Sequence, residues 1–226
     1  MCGRTALTAS PEDLREIFGL DETPGVVPHY NVPPSQPLAV VRVMRDRRRT
    51  LELLRWGLVP SWADDVKIAH RLSLARVESV ATTPAFREAV RRRRCLVVVD
   101  GFYEWRKDGK KASQPFFFRR PDGAPFALAG LWDRWVSKDG EVVESCAILT
   151  QAAGPSADTV HDRMPVVLEQ EAWDRWLDPG QGDVASLLAP RDPELTHYPV
   201  SAYVNDPRHD DARCIVETEP EQRTLF

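Results

Sequence analysis

The sequence has 226 residues, 42% hydrophobic and 28% charged, which suits one sizeable core rather than a fibrous or disordered chain. No apolar run approaches the roughly 18 residues of a membrane span, and no basic-then-apolar leader opens the chain, so a cytoplasmic, nucleoid-associated or otherwise intracellular protein is expected. The net charge of −4 says little against nucleic acid, because arginines cluster locally at 45–49, 91–94 and 119–120 and binding follows local charge. A solvated face is the other reading of each cluster.

In chain order, Ser10 is an N-cap and Pro11 the first residue of a helix. Leu14, Ile17 and Phe18 share one face of it, and Gly19 ends it. β-rich runs follow at 38–44 and 51–55. A second helix starts at Thr83-Pro84, buries Phe86, Ala89 and Val90, and ends in the arginine run. Further strand-like runs occupy 95–99, 115–119, 126–131 and 142–150. Asp108-Gly109, Asp122-Gly123 and Asp139-Gly140 punctuate this stretch, and Asp-Gly favours the positive φ angles of tight hairpins, so an antiparallel meander is expected. A third helix covers 169–177 with Trp173 and Trp176 inward and stops at Pro179-Gly180. The whole reads as one α+β domain, mostly antiparallel sheet with flanking helices, over 2–210, with a mobile C-terminal tail at 211–226.

Cys2, Cys95, Cys146 and Cys214 lie far apart with no CxxC pair, which argues against a zinc ribbon and against a disulfide framework. Cys95 and Cys146 sit in apolar runs and read as small core residues. Cys2 is different. Removal of Met1 gives it a free α-amine beside its thiol, and an α-amine has a pKa of about 8, against about 10.4 for lysine. Such an amine condenses with an aldehyde to a Schiff base, and the thiol can then close a five-membered thiazolidine. An accident of the second codon is the bland alternative.

Glu104, in Gly101-Phe102-Tyr103-Glu104-Trp105, stands among aromatic residues at a strand end. Desolvation there raises a carboxyl pKa toward neutrality, whereas a solvent-facing glutamate would titrate normally. His161, in His161-Asp162-Arg163-Met164-Pro165, can move protons at physiological pH, with Asp162 or Arg163 to tune or orient it. Arg4, Arg76 and the tryptophans of Trp56-Gly57-Leu58-Val59-Pro60-Ser61-Trp62 have the chemistry to hold phosphates and stack on unpaired bases. Tryptophan is more often core, and Arg76 could simply pair with Glu78.

Taken in order, Met1-Cys2-Gly3-Arg4, Tyr30-Asn31-Val32-Pro33-Pro34-Ser35-Gln36, the 56–62 motif, Ala75-Arg76-Val77-Glu78-Ser79, the 101–105 motif, the 161–165 motif and the stretch 200–207 with Asn205 resemble the SRAP (SOS-response-associated peptidase) family. The resemblance spans about residues 2–207. It implies a single α+β domain around a β-barrel-like core, without metal or other cofactor. It implies binding to single-stranded DNA with abasic sites and a covalent thiazolidine between Cys2 and the ring-opened sugar aldehyde. Carried over, Glu104 and His161 move protons, and Arg4 and Arg76 hold phosphates. Trp56 with the adjoining loop (Pro60, Trp62) stacks on or wedges between bases, and Asn31 lies on the DNA-binding face. One position departs from the pattern: Leu74 stands where the family usually has an asparagine in the catalytic pocket, and leucine can neither donate nor accept a hydrogen bond. Slower or differently positioned Schiff-base chemistry is expected. A cysteine peptidase built on Cys2, whose one use could be the removal of Met1, and a non-catalytic single-strand binder are the competing functions. At the far end, Gln222, Leu225 and Phe226 have the spacing of a short sliding-clamp-binding peptide.

Overall fold

The computed structural model describes residues 3–23, 25–44, 46–106 and 113–219. Cys2, Asp108-Gly109 and the clamp-like residues Gln222, Leu225 and Phe226 lie outside the described residues.

Strand β1 (Thr5–Leu7) opens the fold. In α1 (Pro11–Phe18) the Ser10 hydroxyl accepts from the Asp13 backbone N–H at 3.1 Å, and Gly19 closes the helix at φ 60°, a left-handed angle that glycine takes without steric cost. β2 (His29–Val32), β3 (Pro37–Val43), β4 (Arg49–Trp56) and β5 (Leu74–Arg76) lead to α2 (Arg87–Arg92). Then come β6 (Arg94–Val99), β7 (Gly101–Arg106), β8 (Gln114–Arg119), β9 (Phe126–Val136), β10 (Val142–Ala152), β11 (Arg163–Pro165) and β12 (Val167–Leu168). Helices α3 (Gln170–Leu177) and α4 (Val184–Leu187) and strand β13 (Thr196–Pro199) complete the order.

Strands β10, β4, β3, β6 and β9 pair in sequence, and β9 pairs back onto β10, so five strands close into a barrel. Closure leaves no edge among those five. Alternation along each strand puts Val40, Leu54, Trp56, Cys95, Val97, Leu128, Cys146 and Ile148 into one cluster. Their neighbours Val41, Leu96, Val98, Leu131, Ala147 and Leu149 join a second cluster beneath α1 and α3. There Phe18 stacks on Trp173 at 4.7 Å, and Trp176 Nε1 donates to Cys95 O at 2.8 Å. A second sheet, in the order β13, β8, β7, β1, β2, sends Phe102, Phe116 and Phe118 into the barrel cluster. Its other face packs Tyr103 and Phe117 against Val200, Val204 and Cys214.

Four details differ from the sequence reading. The pairing is mostly antiparallel, as expected, but the meander is broken where β10 runs parallel to both β4 and β5. Asp122-Gly123 turns between β8 and β9, which belong to different sheets, so only Asp139-Gly140 among the described pairs makes a hairpin. α2 begins at Arg87, because residues 83–86 form turns and Phe86 at the N-cap makes no side-chain cap bond. The boundary at 210 moves outward: Cys214 is fully buried, Val200 bridges to Glu217, and Thr218 N donates to Pro199 O at 2.9 Å.

Candidate active site

The start of the described chain runs beside β7. Thr5 pairs with Phe102, Ala6 with Gly101, and Tyr103 N donates to Arg4 O at 3.0 Å. The same antiparallel register brings residue 3 opposite Glu104. Glu104 shares the inner face of β7 with Phe102, lies opposite Phe116 of β8, and is 1% exposed. Burial pushes its pKa up to about 7, and the negative charge of Asp162 pushes the same way.

That charge places the 161–163 turn within electrostatic reach of Glu104. The Arg163 N–H donates to His161 Nδ1 at 3.0 Å, and Asp162 Oδ1 stands 2.8 Å from the same nitrogen. Nδ1 carries either a lone pair or a proton, so the two contacts exclude each other. With the proton on Nε2 alone, Nδ1 accepts the Arg163 N–H; with a proton on Nδ1 it donates to Asp162 instead. Arg163 itself grips Glu78 with two bonds, at 2.6 and 3.1 Å, and Thr150 O at 2.7 Å. Glu78 is therefore held by Arg163 rather than by Arg76, and this contact holds its carboxyl below the usual range. Arg76, paired with Thr150 in the β5–β10 register, is exposed. Leu74 is half-buried against the barrel cluster, on the same side of β5 as Arg76.

The 56–62 motif splits between core and surface. Trp56 is 0% exposed, and its Nε1 donates to Ser73 O at 2.9 Å, so it cannot stack on a base. Pro60 is buried as well. Trp62 is 59% exposed. The loop that carries it is pinned on both sides: Val59 N to Ser145 Oγ at 2.8 Å, Ser61 N to Asp133 Oδ2 at 3.1 Å, and Trp135 Nε1 to Ala63 O at 2.6 Å. Gly57, at φ 121°, lies against the Ala69 carbonyl, where a Cβ would come within 2.8 Å. No other residue type fits there.

Asn31 also turns away from solvent. It is 1% exposed; its Oδ1 accepts from Arg4 Nη1 at 2.6 Å, and its Nδ2 faces Val204 O, Asp206 O and His209 O at 2.8–3.1 Å. Both amide hydrogens are spent inside the protein.

Residues 3–4 thus run beside the strand of Glu104, and the 161–163 turn lies within electrostatic reach of its carboxyl. A family model described as "SOS response associated peptidase (SRAP)" matches residues 1–207. The chain belongs to the SRAP family. Abasic site processing protein YoqW of Bacillus subtilis is 35% identical over 222 residues, covering 95% of this chain and 99% of that protein. Abasic site processing protein HMCES of Xenopus tropicalis is 28% identical over 262 residues, covering 95% of this chain and 78% of that protein. A crystal structure of a Bacteroides thetaiotaomicron protein superposes with a TM-score of 0.86 at 25% identity, covering 96% of this chain and all of the other. Of the residues named from sequence, Trp56, Pro60 and Asn31 are buried in the fold, whereas Trp62 and Arg76 face outward. Sequence reasoning missed Asp210, whose carboxylate takes the backbone N–H of Tyr30 and Asn31, and Tyr103, whose hydroxyl donates to Tyr30 O at 2.6 Å. Nothing in a lone aspartate near the end of a chain announces such a partner. Among the described residues no group of His, Cys, Asp or Glu is arranged to hold a metal ion, and no helix is long and apolar enough to cross a membrane.

Proposed function

We propose that this SRAP protein processes abasic sites in single-stranded DNA by covalent capture on Cys2. The observation that carries the reading is the Glu104 carboxyl, buried, poised near neutrality and facing residue 3 of the N-terminal strand. The names of YoqW and HMCES support the coarser part of it, abasic-site processing. Cys2 is bonded to Gly3, so its Cα is about 3.8 Å from that residue's. The α-amine adds to C1′ of the ring-opened sugar, and the resulting carbinolamine loses its hydroxyl as water to give the Schiff base. The thiolate then adds to the imine carbon while the nitrogen takes a proton, closing the thiazolidine. The net change is loss of one water, with no oxidation or reduction. A carboxyl with a pKa of about 7 can give the departing hydroxyl its proton and take one back from the amine at the same pH. His161, with its proton on Nε2, serves the same transfers and their reversal. The exposed Trp62 ring, on its braced loop, stacks on a flanking base, and Arg76 takes a phosphate. Arg4, turned onto protein acceptors, contributes positive potential rather than a phosphate contact. Leu74 leaves the pocket without the hydrogen-bonding group usual there and slows imine formation.

Intact mass spectrometry before and after mixing with uracil-excised single strand tests this. The expected product is protein lacking Met1, joined to DNA with one water lost, stable to heat; Cys2→Ser gives at most a hydrolysable imine. A mature chain that keeps Met1, or a Cys2→Ser adduct as durable as the natural one, overturns the reading. Hydrolysis of unrelated peptides would favour the peptidase instead.

A further inference from the structure

The turn at 202–211 gathers three backbone carbonyls, Val204 O, Asp206 O and His209 O, around one buried point. Buried carbonyls without donors are costly, on the order of 1–3 kcal/mol each. The Asn31 amide supplies those donors at 3.0, 3.1 and 2.8 Å, its two hydrogens shared among three acceptors. Its Oδ1 simultaneously receives Arg4 Nη1 at 2.6 Å. The Arg4 guanidinium continues to Val204 O at 2.8 Å and Asn205 O at 3.3 Å, and lies 5.9 Å from the Trp105 ring centre. Trp105 Nε1 closes the circuit onto Asn205 Oδ1 at 2.7 Å. Asp210 fixes the backbone of residues 30 and 31 from the other side and holds His29 Nδ1 at 2.6 Å. Residue 4 is thereby clamped from β2, from β7 and from the 202–211 turn at once.

We infer that Asn31 and the 202–211 turn form a positioning brace for the N-terminal nucleophile, acting through Arg4. This rests on the capture reading above. Only Gly3, the most freely rotating residue type, separates Arg4 from Cys2. Loose torsions at Gly3 multiply any slack at Arg4, so the direction in which the chain leaves Gly3 toward the nucleophile is set only if Arg4 is held. A displacement of about 1 Å at a reacting group can cost on the order of a hundredfold in rate. Asn31 suits the task because a carboxylate there would still receive Arg4 but would repel the three carbonyls.

The test uses Asn31→Ala in the full chain, which frees Arg4 and the three carbonyls without adding a charge beside Arg4. The rate of adduct formation with saturating abasic single strand is compared with affinity for the same strand carrying an unreactive tetrahydrofuran site. The brace predicts a saturated rate at least about tenfold lower with affinity within about twofold. Trp105→Phe, which removes only the indole bond to Asn205 and threatens folding less, should lose about threefold in rate, the worth of one hydrogen bond, with affinity unchanged. Equal rates in both variants, or rate and affinity falling together, overturn the inference. If the natural protein itself makes no adduct, the capture reading fails; if it does and the variants match it, only the brace fails.

Discussion

Glu104→Gln separates the chemistry of the buried carboxyl from its cost to the fold. Burial, with Asp162 adding, raises this pKa from 4.5 to about 7. At about 1.4 kcal/mol per pH unit, that difference between unfolded and folded chain amounts to about 3 kcal/mol, an upper bound because the pocket can relax. The direction follows from where protons sit. Between pH 4.5 and about 7 the folded protein holds a proton that the unfolded chain has lost, so stability falls as pH rises through that window and levels off above it. Glutamine never ionises and escapes the loss. Its NH2 group must also find acceptors, which subtracts a pH-independent amount. Relative to the natural protein, Glu104→Gln should therefore gain up to about 3 kcal/mol between pH 4.5 and pH 8, equivalent to a melting shift of about 6–12 °C for a chain of this length. Urea unfolding of both proteins at several pH values measures it, and adduct formation in the same samples should fall at least about a hundredfold. A stability difference that does not change with pH would mean that the carboxyl titrates normally, and the proton-transfer role assigned to it would go with it.

The two tryptophans of the 56–62 motif should respond in opposite ways. Trp62→Ala should weaken binding to undamaged single strand by about 1–3 kcal/mol and leave stability within about 0.5 kcal/mol. Trp56→Phe should leave binding alone but cost about 1–3 kcal/mol of stability through a small void and the lost bond to Ser73. Filter binding and thermal melts read both, and tight binding by Trp62→Ala would remove the stacking role. Leu74→Asn should speed adduct formation while costing about 1–3 kcal/mol of stability, since half the apolar contact with the barrel is exchanged for an amide. If the asparagine protein reacts no faster in a single-turnover assay, this departure from the family pattern has no kinetic meaning.

The elements with local causes could be read from sequence. Ser10, Pro11 and Gly19 mark α1 because capping is a matter of adjacent residues. The apolar runs that became β3, β6 and β10 carry their periodicity within a few residues. Pairing partners do not. That β10 would take β4 and β5 in parallel depends on closure of the barrel, which no single segment encodes. Likewise, which tryptophan of the 56–62 loop faces water is decided by Ser145, Asp133 and Trp135, all more than seventy residues away. The burial of Asn31 was not legible, because an asparagine carries no mark of the three carbonyls it will meet. Glu104 was legible in chemistry but not in place: its aromatic neighbours suggested a raised pKa, while the N-terminal strand beside it came only from register.

Arg4 finds its acceptors at Val204 and Asn205, two hundred residues downstream. During synthesis the first strand can pair with β2 and β7 once those emerge, but the Arg4 guanidinium waits for residues 204 and 205. Closing so long a loop is entropically slow and comes late in folding. A chain cut short before that turn retains every barrel strand yet leaves Arg4 without two of its acceptors, so seating of Arg4 couples the first strand to the 202–211 turn.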